Sequence, residues 1–570
     1  MTALPLHARI EAALSAAFVS LGLPPSAARA LPSSRTELAD FQCNAAMSLA
    51  REAGKPSRKV AEAIAGAMAG DPLFGSVAVA GPGFVNMVVS DAALAEAAGQ
   101  PPALASGKRE HVVIDFGGPN VAKALHVGHL RSLVIGESLR RTYAALGHRV
   151  TSDIHLGDWG LQMGQLISAL KAERPGLPYF YPAWTGPYPD ASPVTVEELQ
   201  ELYPRAARAC VDDPGRLEAA RAATASLQSG HPGYTALWKA MRDVSLRSQR
   251  DDISWLGARF DLFLGESDSN GLIAPLADRL LEDGVAVRSE GAVVVPVGDD
   301  LPPLMLVKSD GGYTYGATDL ATIAMRVRDL APDRIVYVVD QRQAAHLQAV
   351  FRASDKAGIM PADRLVHVGF GTVNGPDGKP LKTRAGGTAR LSELLADAEA
   401  KAAERLSGRE GSEGDARLAR QVAAAALKFG DLQGNRLSGY DFDLDRLVSF
   451  EGRTGPYLQY ACVRIRSIAA RWKGEPGEAP VSVAHPAERA LALECLGLPE
   501  AVAAAGERAE PGIVAAKAFA VAQAFSRFYA ECPVLAGGDA APGRVSLCML
   551  AYRTLSTCLD LLGIEVPERM

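Results

Sequence analysis

The chain has 570 residues, 48% hydrophobic and 22% charged. That mixture suits three or four soluble globular domains and excludes disorder, collagen-like repeats and a disulfide scaffold. With 59 basic and 65 acidic residues the net charge is -6, which argues against non-specific coating of nucleic acid but leaves room for a local basic face.

The first segment, around Ala12 to Leu23, is apolar enough to be weighed as a secretion signal. Glu11 at its edge and a barely basic start favour an amphipathic helix instead, with Ile10, Leu14, Phe18 and Leu21 at helical spacing. Arg58 to Met68 is a predicted helix, and Val77–Ala80 and Val85–Val89 are predicted strands split by Gly81-Pro82-Gly83. Together they make residues 1–105 a small α+β domain ending in a Pro-rich linker. A strand at His111–Phe116, a turn at Gly117-Gly118-Pro119-Asn120, a helix from about Gly128 to Leu146 closed by Gly147, and a strand at Val150–Ile154 begin a parallel α/β domain. A helical, charged insertion runs from about 170 to 260, and parallel strands resume at Ile335–Val339 and Leu365–Val368. A Gly-rich loop is predicted from Gly369 to Gly387; within it Gly369-Phe370-Gly371 to Gly375 reads as a hairpin or flexible loop, because its spacing is wrong for a dinucleotide fingerprint. After about 415 the signals are all helical, with Val521, Phe525 and Phe528 on one face and Gly563 closing the last helix. The alternating Asp441, Asp443 and Asp445 lack the Gly and Glu of a calcium loop and read as a solvated turn. The predicted fold is a Rossmann-like parallel-sheet domain (106–440) between an N-terminal α+β domain (1–105) and a C-terminal all-α domain (441–570).

Seven cysteines form no C-x-x-C pair, so a reducing cytosol is expected, with the thiols as small core residues. No apolar run reaches the ~18 residues of a membrane span.

The strongest chemical signal lies in Pro119-Asn120-Val121-Ala122-Lys123-Ala124-Leu125-His126-Val127-Gly128-His129. His126 and His129 share one face at a helix start, where free N–H groups and the macrodipole already favour anions. Gly128 between them would let a ligand approach the backbone. This arrangement suits a polyphosphate; the bland alternative is a pair of surface histidines. From Gly452 to Gly474 there are five basic residues and no acidic one, interleaved with Tyr457, Tyr460 and Trp472. Cations there would track phosphates while aromatics stack bases, unless the rings are simply core.

With Asp115 before it and Arg131-Ser132 after it, the histidine segment resembles the HIGH signature of class I aminoacyl-tRNA synthetases, and the longer string that of the arginyl-tRNA synthetase family. Similar segments follow in order: His155-Leu156-Gly157-Asp158-Trp159-Gly160 with Gln162, Ser309-Asp310-Gly311-Gly312-Tyr313 through Asp319, Asp340-Gln341-Arg342-Gln343 with His346, and Glu451 through Tyr460. Leu381 through Thr388 stands where such enzymes carry KMSKS. Gly117 and Gly118 replace two usual serines, and Thr383 replaces the second signature lysine.

The resemblance implies an enzyme that activates L-arginine with ATP, carried as its Mg2+ complex, and charges tRNA. A monomer in the cytoplasm is implied too. Phosphates would meet Pro119, Lys123, His126, Gly128, His129, Lys382, Thr383 and Arg384, with Lys123 supplying the missing signature charge. Tyr315 and Asp319, four apart on a helix, would read the guanidinium; the fork of that group suits a carboxylate with a hydroxyl. Asp115 and Asn120 would hold the α-amino group, with Gln343 nearby. Arg453, Tyr457, Tyr460 and Arg464 would touch tRNA, and Phe41 and Phe84 its elbow. Two rivals stand beside this reading: a small-molecule nucleotidyltransferase with the same turn, and a non-catalytic tRNA-binding relative.

Overall fold

A computed structural model describes residues 4–570 except 34, 36, 53, 101–103, 105–106, 376, 382–388 and 408–414. Its described residues divide into two units, one between 107 and 448 and the other uniting the segment before 107 with 449–570.

The first unit is organised by a four-stranded parallel sheet. Strand β1 (His111–Phe116) leads through helix α1 (Val127–Ala145) to β2 (Arg149–Asp153) on one side of β1. The chain later returns to the other side of β1 with β3 (Arg334–Val338), beside which β4 (Leu365–His367) lies, so the order is β4-β3-β1-β2. Every residue of β1 is buried, as a strand covered on both faces must be. The order reverses about β1, so a crevice opens at the carboxyl ends of β1 and β3, the usual ligand position in such sheets.

Between β2 and β3 lie the helical insertion and its neighbours: Leu161–Glu173, then Val196–Asp212, Pro214–Gln228 and Pro232–Trp255. These helices close their own apolar core around Leu166, Leu199, Leu227 and Leu237, and Val121 and Ala122 of the turn after β1 are part of it. Helix Glu266–Glu282, three short antiparallel strands and helix Tyr315–Leu330 follow and lead back to the sheet.

Part of the Gly-rich stretch, within 369–381, is a hairpin edged by a short strand. Val373–Asn374 pairs with Tyr440–Asp441, and Gly375 and Leu381 donate to Lys379 (2.7 Å) and Val373 (2.9 Å), forming a hairpin. That small strand at Tyr440–Asp441 also interrupts the predicted all-helical region. Asp443 caps a short helix and Asp445 pairs with Lys401 at 2.9 Å, so neither belongs to a calcium loop.

In the second unit, helix Leu6–Ser20 buries Ile10, Leu14 and Phe18, while Leu21 falls just past its end and is exposed. The two predicted strands are present as Phe74–Ala80 and Phe84–Val89, and they pair antiparallel. Arg489 of the C-terminal helices reaches this N-terminal sheet region, pairing with Asp40 and with Asp91 at 2.6 Å and donating to Val89 O at 2.6 Å. All seven cysteines are buried. Among the described residues, no helix is long and apolar enough to cross a membrane.

Candidate active site and nucleic-acid groove

The turn leaving β1 is shaped by two consecutive left-handed residues, Gly117 (φ 91°) and Gly118 (φ 41°). A Cβ is disfavoured in that region, which explains why glycines suit these positions here. Ser132 accepts from Gly117 N at 2.7 Å and donates to Val338 O at 2.7 Å, clasping the ends of β1 and β3 together. Arg131 on the same helix turn is buried and pairs with Asp431 at 3.1 Å. Arg131 and Ser132 therefore build the frame from which the histidines project.

His126 is the N-cap of α1, and its Nδ1 accepts from Gly128 N at 3.0 Å; His129 Nδ1 accepts from His126 N at 3.0 Å. The two rings lie 4.0 Å apart. Because each Nδ1 accepts, the proton of each neutral ring sits on Nε2, a donor free of the cap. Burial lowers the pKa of both, His129 to about 3, with a further push from the neighbouring His126 and Lys123. Two neutral donors thus stand at a helix N-terminus. Gly128 leaves room for the His126 ring: a Cβ there would meet His126 Cε1 at 2.8 Å. Pro119 O accepts from Gly157 N at 3.0 Å, which ties the turn to the loop after β2. Lys123 extends over the Tyr203 ring, Nζ 4.7 Å from its centre.

Lys382, Thr383 and Arg384 lie outside the described residues. The chain beyond them is pinned to the histidines: Val127 N donates to Ala389 O at 3.0 Å and Leu391 N to Leu125 O at 2.9 Å.

Tyr315 and Asp319 lie in the first turns of helix Tyr315–Leu330, whose N-cap Thr314 accepts from Ala317 N. Tyr315 is 71% exposed, and its phenol pKa is raised by partial burial and by the charges of Glu266 and Asp319. Asp319 Oδ2 meets His346 Nε2 at 2.6 Å, and that hydrogen bond raises the imidazole pKa. Glu266, which sequence reasoning missed, belongs to this group. Burial, aided by the charge of Asp158 and by Asp319, pushes its carboxyl up to about 7. A lone Glu in the first turn of a helix carries no motif, so only the folded neighbourhood reveals it.

Asp115 does not stand open at the end of β1. Its Oδ2 is held at 2.6 Å by Arg326, a fully buried guanidinium that also holds Asp153 at 2.7 Å. Asn120 packs its amide against Gly157, where a Cβ would lie 2.2 Å from Asn120 Oδ1. Asp158 of the Gly-Asp-Trp-Gly segment accepts from Ser267 N at 3.0 Å and Oγ at 2.8 Å, and so anchors the helix that carries Glu266. Gln343 is exposed at the start of helix Ala344–Lys356, beyond the end of β3.

In the other unit, a groove of about 550 Å³ is lined by Tyr460, Arg464 and Arg471 on one side and by Tyr529, Leu535 and Met570 on the other. Arg464 stacks over Tyr529 at 4.2 Å. Tyr529, Leu535 and Met570 escaped the sequence reading; Tyr529 and Leu535 are exposed apolar residues beyond the buried Phe525 and Phe528, a faint signal. Two expected contacts lie off the groove wall. Tyr457 bonds Ser526 Oγ at 3.0 Å, and Arg453 stacks over Phe519 at 5.5 Å. Phe41 is half-buried beside His7, and Phe84 is half-buried at the start of its strand.

Comparison with known proteins agrees along the whole chain. Residues 91–444 match the class I tRNA synthetase (R) catalytic domain, 458–570 the DALR anticodon binding domain, and 5–89 the arginyl tRNA synthetase N terminal domain. The chain is 46% identical to an arginine–tRNA ligase of Hyphomonas neptunium over 99% of its own length and 100% of that protein's. The arginyl-tRNA synthetase structure of Thermus thermophilus superposes with a TM-score of 0.82 at 25% identity, covering 99% of this chain and 100% of the other. The Plasmodium falciparum arginyl-tRNA synthetase structure shares the fold, with a TM-score of 0.84 at 23% identity over the full length of both chains.

Proposed function

The chain belongs to the class I arginyl-tRNA synthetase family, and on that premise we propose that it activates L-arginine with ATP and transfers the arginyl group to the 3′-terminal adenosine of its tRNA in protein synthesis. The arginine carboxylate attacks the α-phosphorus in line and pyrophosphate leaves. A terminal ribose hydroxyl then attacks the arginyl carbonyl and AMP leaves. No protein nucleophile takes part, so the catalytic work is alignment and charge stabilisation.

The observation that carries this reading is the pairing of neutral imidazole donors with a separate carboxylate cluster. His126 and His129 offer Nε2–H groups at the start of α1, while Asp319 and Glu266, whose charges act on each other and on Tyr315, form a carboxylate cluster. The first suits a nucleotide and the second a guanidinium. Lys123, Lys382 and Arg384 add phosphate-facing cations, with Pro119, Gly128 and Thr383 lining the nucleotide. The α-amino group of arginine would meet Asn120 and the Asp115 end of β1, with Gln343 at the rim.

ATP enters as its Mg2+ complex. The groove of Tyr460, Arg464 and Tyr529 takes an unpaired tRNA base, and Arg453 and Tyr457 support its wall. Residues 1–105, through Phe41 and Phe84, take the tRNA elbow; 106–440 do the chemistry and 441–570 read the anticodon. A cytoplasmic monomer completes the reading.

Pyrophosphate exchange with arginine, with and without tRNA, tests the proposal. Exchange that needs both arginine and tRNA supports it. Exchange with a different acceptor, or without tRNA, favours a small-molecule nucleotidyltransferase; none under any condition favours a non-catalytic tRNA binder.

A further inference from the structure

The helical insertion has no part in the chemistry above, yet it grips the turn that carries Lys123. Ala122 in that turn is left-handed (φ 64°) although it bears a Cβ, and it is 1% exposed. Such a residue persists only where its surroundings hold it. The holding groups come from helix Pro232–Trp255 of the insertion. Ser245 Oγ accepts from Ala122 N at 2.9 Å and donates to Met241 O at 2.7 Å. One turn along the same face, Gln249 Nε2 donates to both Asn120 O and Lys123 O, each at 3.0 Å. Tyr203, from another insertion helix, lies beneath Lys123 Nζ.

Gln249 is 3% exposed, and its Oε1 has no hydrogen-bond partner among the described residues. The stranded Oε1 carries a desolvation cost, while the Nε2 of the same amide is the donor to Asn120 O and Lys123 O. Its two donor bonds close the turn on both sides of Val121 and Ala122 and so set the direction in which Lys123 leaves the backbone. We infer that Gln249, assisted by Ser245, is a positioning residue for the nucleotide: the insertion clamps the Asn120–Lys123 turn and thereby aims the Lys123 ammonium at the phosphates of ATP. This rests on the reading of Lys123 as a phosphate-binding lysine.

The test is tRNA-dependent pyrophosphate exchange by the full-length protein, with ATP and arginine varied separately. It compares the wild type with Lys123→Ala, Gln249→Met and the double variant, each checked by thermal melting. Gln249→Met should lower kcat/KM for ATP by ~10- to 100-fold, the worth of two lost buried hydrogen bonds, and leave KM for arginine within about twofold. Lys123→Ala should fall at least as far, and the double variant no further, because Gln249 acts through Lys123. Normal ATP kinetics in Gln249→Met beside an impaired Lys123→Ala overturns the clamp alone, as does a double variant showing the product of the two losses. Lys123→Ala at wild-type activity overturns the reading of Lys123 and the clamp with it. If Gln249→Met melts well below the wild type, Ser245→Ala carries the same comparison, and unchanged ATP kinetics in that variant overturns the clamp.

Discussion

The turn from Gly117 to His129 and the groove between Tyr460 and Met570 both bring cations and rings together, but they are assembled differently. The turn draws on one continuous stretch. Its imidazoles are oriented by main-chain N–H groups two and three residues away, so the two rings are set locally, while Ser245 and Gln249 hold the backbone before them. The groove is made from a helix, a later helix with the loop after it, and the chain end, and only their packing brings Arg464 over Tyr529. A locally built site leaves a contiguous motif in the sequence. A site built by packing leaves scattered, individually unremarkable residues. The carboxylate cluster lies between these cases: Tyr315 and Asp319 share one helix, while Glu266 and His346 join from others.

The sharpest way to break this contrast is to disable one site and read both. Asp319→Asn should raise KM for arginine by on the order of 10²- to 10³-fold, because the guanidinium loses a charged acceptor in a site built to bond it. KM for tRNA should stay near wild type; a comparable rise in both would mean that the two sites are not separable.

Glu266 gives the next effect. Its carboxyl titrates near 7 while facing Asp158, Asp319 and His155, so it is anionic above that pH and neutral below. Arginine KM should therefore rise as pH falls from about 8 to 6, and Glu266→Gln should flatten that limb. The histidines of the turn cannot produce it, since His129 titrates near 3 and His126 is lowered as well. An unchanged limb in Glu266→Gln assigns the titration elsewhere.

On the groove side, Tyr529→Ala should raise KM for tRNA by roughly 10- to 100-fold, the scale of one base stack, and leave pyrophosphate exchange at saturating tRNA within about twofold. The smallest effect belongs to Gly128→Ala. Its Cβ would push the His126 ring off its cap and lower kcat/KM for ATP by about tenfold, with arginine KM unmoved. Normal ATP kinetics in that variant would show that the histidine cap is not needed.

Much of the molecule was legible from the residues. The order strand, turn, helix, strand around His126 is observed within a residue or so at each boundary, and Gly147 closes α1 with φ 89°. These features follow from apolar periodicity and backbone preference, which act over a few residues. A hairpin near Gly369–Gly375 was among the readings, but its pairing with a strand at Tyr440–Asp441 was not legible, because two-residue strands carry no periodicity and pair across a long gap. The room that Gly128 leaves for the His126 ring was not legible for a related reason: glycine signals a close approach but not what approaches. Asp115 was expected, from the resemblance, to hold an α-amino group, but nothing near it in sequence announces Arg326.

What the sequence determined by itself was the chemistry that depends on neighbours in the chain: two imidazoles and a lysine at a helix start, a tyrosine and an aspartate one helical turn apart, and a basic aromatic segment near the C-terminal third. Tertiary structure decided which neighbours these groups meet. It placed Glu266 beside Asp319, raised its pKa by burial, occupied Asp115 with Arg326, and set Ser245 and Gln249 against the Lys123 turn. The physical reason is the range of the forces. Hydrogen-bonded turns and helix caps are fixed by adjacent residues, whereas desolvation and the pairing of buried charges exist only once distant segments have excluded water between them.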